Sequence, residues 1–131
     1  MKFAVVAAAL LAAVGCGEDR EPSLSAFCTT FDRVDSVLVG DFEDVNPQAA
    51  RTLAAEMRRY APDEVFEDVV VFTDMLGELF DLFEEHGQAV AAGDLDAADE
   101  LRGQIHERVE AAAVEIDVEF DRMTRYVWAA C

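Results

Sequence analysis

Cysteine and histidine are the residues of this sequence with the greatest potential for chemistry, and both are rare. The three cysteines are Cys16, Cys28 and Cys131, and the two histidines are His86 and His106. A cysteine sulfur can act as a nucleophile, form a disulfide or bind a metal ion. The wide spacing of the cysteines lacks the CxxC pattern of dithiol redox sites and of common thiolate metal sites.

Cys16 follows a short apolar segment at the N-terminus. A positive charge at Lys2 precedes an uncharged apolar run over residues 3–14, and Gly15 separates that run from Cys16. A membrane-spanning helix needs about 20 apolar residues, so a run of 12 residues is typical of a signal-peptide core. The segment Leu11-Ala12-Ala13-Val14-Gly15-Cys16 resembles the lipobox of bacterial lipoprotein signals.

The lipobox resemblance implies lipidation at Cys16. Residues 1–15 would be removed as a signal peptide, a diacylglycerol would be attached to the Cys16 sulfur, and a further acyl chain often follows on the new amino group. More than one acyl chain gives stable anchoring. We therefore predict an extracytoplasmic protein that is lipid-anchored to the bacterial cell membrane, with residues 16–23 as the lipidated cysteine and a short tether. The alternative is ordinary secretion with cleavage elsewhere.

The chain that remains after cleavage is strongly acidic. Lys2 is the only lysine and leaves with the signal peptide, so nine arginines face 28 acidic residues, a formal charge of −19. Such a surface repels nucleic acids and anionic lipid headgroups. We therefore predict no nucleic-acid partner and attachment to the membrane through the lipid on Cys16, not through surface electrostatics. The acidic charge could attract cations or basic partners, aid solubility or reflect a salty habitat.

Residues 24–131 have the pattern of one helical domain. Apolar residues recur at spacings of three and four, and no segment alternates apolar and polar residues for the length of a strand. We predict an all-α, up-down bundle of about four helices. These are a first helix over about 24–39, a second from Asn46-Pro47 to Tyr60-Ala61, a third from Pro62 to His86-Gly87, and a long C-terminal helix from Asp94 or Asp96 with any bend near Gly103. The third is the most apolar and is predicted to be central.

Topology and cysteine pairing support one another. In an up-down bundle of four helices, the start of the first helix and the end of the last lie at the same end. Cys28 is near that start and Cys131 is the last residue. With Cys16 lipidated, these two cysteines form an even pair outside the cytoplasm, so we predict one Cys28–Cys131 disulfide that closes the domain.

Other potential sites have simpler explanations in a helical protein. His106 and Glu110 could share a metal ion, but a solvated histidine is the more common role for such a residue. The segment Asp94-x-Asp96-x-x-Asp99-Glu100 resembles half a calcium loop, yet acidic residues are expected in a first helical turn. The acidic residues Asp41, Glu43 and Asp44 are likewise either a cation site or acidic residues with the same simpler explanation. Tyr60, Tyr126 and Trp128 could line a pocket at one end of the bundle or fill a helix end against the core.

Three further patterns resemble a group of small extracytoplasmic lipoproteins from actinobacteria and similar high-GC bacteria. They are Phe27-Cys28-x-x-Phe31, Ala61-Pro62-Asp63-Glu64-Val65-x-x-Asp68-Val69 and the final Cys131. The resemblance covers most of the mature chain and implies a helical, disulfide-closed domain. It implies no established activity, so no functional residue is transferred from it.

The sequence contains no common catalytic motif, which limits the functions to be considered. P-loop, dinucleotide-binding, G-x-S-x-G and H-E-x-x-H patterns do not occur. We therefore predict no enzyme activity, no cofactor and no metal site. The first hypothesis is a non-catalytic binding or interaction module of the cell envelope, with an envelope protein as a partner. The alternative is a small-ligand or divalent-cation binding protein.

Overall fold

The computed structural model describes residues 19–39 and 45–131, and its secondary structure there is exclusively helical. The five helices, listed in chain order, are α1 (Leu24–Val39), α2 (Pro47–Tyr60), α3 (Phe66–Ala91), α4 (Leu95–Glu115) and α5 (Asp117–Ala130). The predicted all-α class is confirmed. None of these helices is both long and apolar enough to cross a membrane. The predicted signal peptide, the lipidation site at Cys16 and the acidic residues 41–44 lie outside the described residues.

Local signals set the bounds of α2. The Asn46 side-chain oxygen accepts hydrogen bonds from the backbone N–H groups of Gln48 and Ala49, at 3.0 and 3.2 Å. These bonds satisfy donors that the first turn of a helix leaves open, and Pro47 needs no such partner. The helix ends at Tyr60 because Pro62 disfavours helical backbone at the residue before it. The predicted bounds of this helix are confirmed.

The prediction that α3 ends at His86-Gly87 is wrong. The helix continues for one more turn, through Ala91, and Gly93 ends it with a φ of +74°. The Gly93 N–H donates to the Val90 carbonyl at 3.1 Å, and the Asp94 N–H donates to the Ala89 carbonyl at 3.0 Å. This is the hydrogen-bond pattern of a glycine C-terminal cap. A glycine inside a helix costs only about 1 kcal/mol, which the alanine-rich turn after Gly87 offsets.

The predicted long C-terminal helix is two helices, α4 and α5, and the predicted bend at Gly103 is also wrong. The interruption is at Ile116, where φ is −109° and ψ is 12°. Ile116 is buried in the core, whereas Gly103 is exposed and no atom lies close to its Cα on the side-chain side. Three β-branched residues, Val114, Ile116 and Val118, also lower helix propensity around the interruption. Core packing therefore decides where the chain bends.

The core lies around α3, as predicted for the most apolar helix. This helix packs against α2, α4 and α5, while α1 packs against α2. All five helices contribute buried side chains. The largest side chains that are fully buried are Phe27, Phe80, Met57, Leu76, Met123, Val65 and Val69.

The predicted disulfide between Cys28 and Cys131 is confirmed. The two Cα atoms are 5.9 Å apart, and the bond joins residues 103 positions apart in the sequence. Beside it, the buried ring of Phe27 on α1 contacts the ring of Tyr126 on α5, with centroids 6.5 Å apart. The covalent bond and the ring contact together hold the C-terminal helix against α1.

A partly buried ion pair also joins α5 to α3. Arg122 donates from Nε and from one terminal nitrogen to the same oxygen of Asp68, at 3.1 and 2.8 Å. The Asp68 side chain is only 12% exposed, while that of Arg122 is 60% exposed. Removal of Arg122 would leave a buried carboxylate without this partner.

We expect Arg122→Ala to lower the free energy of unfolding by about 1 to 3 kcal/mol, because a buried acceptor loses two charged hydrogen bonds. Arg125→Ala is the matched control on the same helix. Its partner Asp121 is exposed, so its loss should cost only about 0.5 kcal/mol. Urea denaturation of the two variants checks the difference, and equal losses would contradict it.

Candidate functional site

An apolar groove runs between α3 and the junction of α4 with α5. Its cavity volume is about 560 Å³, and Phe72 and Phe120, whose ring centroids are 5.6 Å apart, lie at one end. Almost all of its lining side chains are apolar. They are Phe72, Met75, Leu76, Leu79 and Phe83 from α3, Ile105, Val109, Ala112 and Ala113 from α4, Ile116 at the junction, and Phe120 from α5.

The groove follows from the size of the side chains and the bend in the chain. Ala112 and Ala113 on α4 line the groove opposite the bulky apolar residues of α3, and their short side chains leave space between the helices. The interruption at Ile116 then starts α5 as a separate helix, and Phe120 closes the end of the groove. Val109 and Phe120 remain 45% and 41% exposed, so the apolar surface is open to solvent.

A salt-bridge cluster lies beside the groove. Arg108 on α4 donates to Glu78 on α3 at 2.7 Å and to Glu115 at 3.0 Å. The hydrogen bond with Glu78, followed by that with Glu115, raises the pKa of Arg108 above its ordinary value. This guanidinium therefore stays charged and joins α3 to α4 without entering the lining of the groove.

Only two polar side chains of the described residues line the groove. His106 lies on the α4 wall and Asp117 at the first turn of α5, and both residues are exposed. Each can form hydrogen bonds with a bound molecule. No hydrogen bond between His106 and Asp117 is present in the described part of the chain.

As far as the structure describes them, the residues considered as metal ligands lie on α4 or at its start. His106 and Glu110 are both exposed on α4, and among residues 19–39 and 45–131 no group of three or more His, Cys, Asp and Glu residues is placed to hold a metal ion. The Asp94 carboxylate accepts a hydrogen bond from the Ala97 N–H at 3.1 Å and thereby caps α4. The acidic segment that begins at Asp94 therefore has a structural role in starting the helix.

The three aromatic residues considered for a pocket do not form one. Tyr60 and Tyr126 are half-buried and pack against the core, as helix-end residues commonly do. Trp128 does not pack against the core, because it is 85% exposed on the last turn of α5. The large groove lies elsewhere, between α3 and the α4–α5 junction.

The apolar pattern alone does not predict the groove, because an apolar stripe with helical spacing, such as that of the predicted last helix, indicates a core-facing surface. That stripe includes Val109 and Phe120, which line an open surface. The sequence does indicate the groove through the sizes of the side chains that face each other on α3 and α4. Bulky residues predominate on α3, whereas the facing segment of α4 carries Ala112 and Ala113, so the two surfaces cannot fill the space between them.

Comparisons of this chain with protein-family models, with curated proteins and with solved structures found no match.

Proposed function

We propose that this protein is a lipid-anchored extracytoplasmic binding protein of the cell envelope, without catalytic activity, and that the apolar groove is its binding site. The observation that carries the proposal is the open groove of about 560 Å³ with an apolar lining. Ligand pockets in proteins usually have volumes of about 300 to 1,000 Å³ and apolar walls with a few polar groups. His106 and Asp117 are polar groups of that kind.

The chemistry of the groove favours one class of ligand. An apolar molecule of drug-like size would displace water from the aromatic and aliphatic walls, a gain of about 25 cal/mol per Å² of apolar surface removed from water. Asp117 and the formal charge of −19 disfavour an anionic ligand. We therefore propose a neutral or cationic apolar ligand. An envelope protein that inserts an apolar side chain into the groove is the alternative occupant.

The proposal includes the up-down arrangement of the helices, because it sets the position of the groove relative to the anchor. The order of the ion pairs supports this arrangement. Arg51 and Arg58, in ascending order on α2, pair with Asp81 and Asp74, in descending order on α3. In the same way, Arg108 pairs with Glu78 and Arg122 with Asp68. Each series has the order expected of a helix that runs antiparallel to α3. The bent α4–α5 segment takes the place of one long helix.

A charge placed in the groove tests the proposed binding site. We expect Val109→Glu to abolish binding of apolar ligands, because a carboxylate among aromatic and aliphatic walls would have to be desolvated when the ligand binds. Val114→Glu is the matched control, since Val114 is on the same helix, is 80% exposed and does not line the groove. Val109 is itself partly exposed, so the domain should remain folded.

The measurement is a thermal melt of oxidised residues 16–131 carrying Cys16→Ser, with a panel of neutral and cationic alkyl and aromatic compounds at constant ionic strength. A ligand at 100 times its dissociation constant adds about 2.7 kcal/mol to the stability of the native state. In a domain of this size the midpoint should rise by about 10 °C. The rise should persist in Val114→Glu and disappear in Val109→Glu. A panel without effect on the wild type would contradict small-ligand binding in the groove.

A further inference from the structure

Trp128 is the most exposed large apolar side chain of the described residues. It is 85% exposed on α5, while its neighbours Val127 and Tyr126 are buried and half-buried. It is also the only tryptophan in the chain. Exposing an indole ring to water sacrifices a large amount of apolar burial, so a surface that covers the ring would be favourable.

The predicted tether is fixed at the same end of the domain as Trp128. The Ser23 N–H donates to the Tyr60 carbonyl and the Glu21 N–H to the Arg59 carbonyl, at 3.0 and 2.9 Å. Ser23 directly precedes α1, and Cys28, in the second turn of α1, is bonded to Cys131 with a Cα separation of 5.9 Å. Trp128 is about one helical turn from Cys131. The backbones of Ser23 and Trp128 are therefore within about 20 Å of each other.

The contacts of the chain before Ser23 keep a lipid anchor on Cys16 close to this end of the domain. Arg20 donates to the Ala61 carbonyl at 2.9 Å and to Asp63 at 3.0 Å, and its guanidinium lies 3.8 Å from the centroid of the Phe66 ring. These contacts hold the tether against the domain as far as its first described residues. Three peptide units join Cys16 to Asp19, and they reach at most about 11 Å when fully extended.

We propose that Trp128 inserts into the headgroup region of the same membrane that holds the lipid on Cys16, so that this end of the bundle docks on the bilayer. Tryptophan is enriched at membrane–water interfaces because its ring is apolar and its N–H is polar. Two exposed residues at this end of the domain suit that environment: Leu24 at the start of α1, which can contact acyl chains, and Arg125, one turn before Trp128, whose guanidinium pairs with Asp121 and is 80% exposed. The overall charge of −19 makes a zwitterionic membrane the partner that fits.

This inference depends on the proposed lipid anchor, because a single tryptophan is too weak to bind a membrane alone. Docking would fix the orientation of the domain relative to the bilayer. The near end of the groove is at Phe120, about three helical turns before the C-terminal end of α5, so the groove would remain accessible from the side.

The test uses the fluorescence of Trp128 in the processed, lipidated protein reconstituted in phosphatidylcholine vesicles. Spin-labelled phosphatidylcholine, with the label at the headgroup or near the acyl terminus, reports the depth of the ring. We expect a blue shift of emission on reconstitution, strong quenching by the headgroup label and weaker quenching by the acyl-terminal label. The control is a Trp128→Phe variant that carries Val114→Trp, since Val114 is exposed and about 25 Å along the helices from Cys131. Its emission should be neither shifted nor quenched.

The outcomes separate the anchor from the docking. Protein that sediments with the vesicles and shows quenching of Trp128 but not of the control tryptophan supports the inference. Protein that sediments but leaves Trp128 unquenched, or quenched equally with the control, overturns the docking and keeps the anchor. Protein that carries the acyl groups of an extracted lipoprotein yet fails to sediment, or that carries none, overturns the anchor and the docking with it.

Discussion

Replacing Cys28 and Cys131 together by serine is expected to lower the free energy of unfolding by about 4 to 5 kcal/mol. The bond closes a loop of 103 residues, so it removes a large part of the conformational freedom of the unfolded chain. That amount is a large fraction of the total stability of an ordinary domain. It is an upper figure, because any native-state strain released by removal of the bond would reduce it.

Urea denaturation under oxidising conditions measures this effect. The wild type with a reducing agent is the internal control, and its unfolding curve should coincide with that of the double variant. The bond also holds α5 against α1, so the amide protons of the last turns of α5 should exchange faster when it is absent. A loss of less than about 1 kcal/mol would mean that the unfolded chain is already compact or that the bond contributes strain.

Replacing Phe80 by alanine is expected to cost about 3 to 5 kcal/mol, the second largest effect. Phe80 is buried on α3 and faces Val34 and Val37 of α1 and Ala50 and Leu53 of α2. Removal of its ring creates a cavity at the contact of three helices, which can collapse only in part. The variant should therefore lose both the transfer free energy of the ring and the packing of its neighbours.

Phe120→Ala is the matched control for Phe80→Ala, because it removes the same atoms from a partly exposed ring in the groove. It should cost less than half as much stability, since a ring that is 41% exposed contributes less apolar burial. It should instead weaken binding of an apolar ligand, because one end of the groove is lost. Equal destabilisation by the two substitutions would mean that Phe120 belongs to the core.

The elements that the sequence predicts correctly are those determined by local interactions or by the covalent chain. Asn46, Pro47 and Pro62 determine the bounds of α2 through hydrogen bonding and backbone sterics alone. The Cys28–Cys131 bond follows from the number of cysteines and from the expectation that both ends of the domain meet. The central position of α3 follows from the breadth of its apolar surface, which exceeds a single stripe.

The features that the sequence does not predict are decided by packing between distant residues. Residue type alone makes Gly87 and Gly93 equally plausible as the end of a helix. Only Gly93 adopts the positive φ that ends α3. Gly103 is a plausible bend, but the buried Ile116 determines where the chain bends. The groove then depends on that bend and on Ala112 and Ala113 facing bulkier side chains, which no single helix reveals.

The two parts of the proposed function have different origins. The groove is a structural observation, and the anchor depends on the sequence before Asp19. The resemblance to small actinobacterial-type lipoproteins remains a prediction from the sequence. Location outside the cytoplasm, on a lipid anchor, is the premise of both proposals, because it determines which ligands and which surfaces the domain meets.

The most direct test of this premise is the intact mass of the protein extracted from the membranes of the cells that produce it. We predict a chain that begins at Cys16, carries acyl groups at that residue, and gains the mass of two hydrogens on reduction of the Cys28–Cys131 bond. A chain that begins at another residue, or that carries an unmodified Cys16, would contradict the lipid anchor and the location inferred from it.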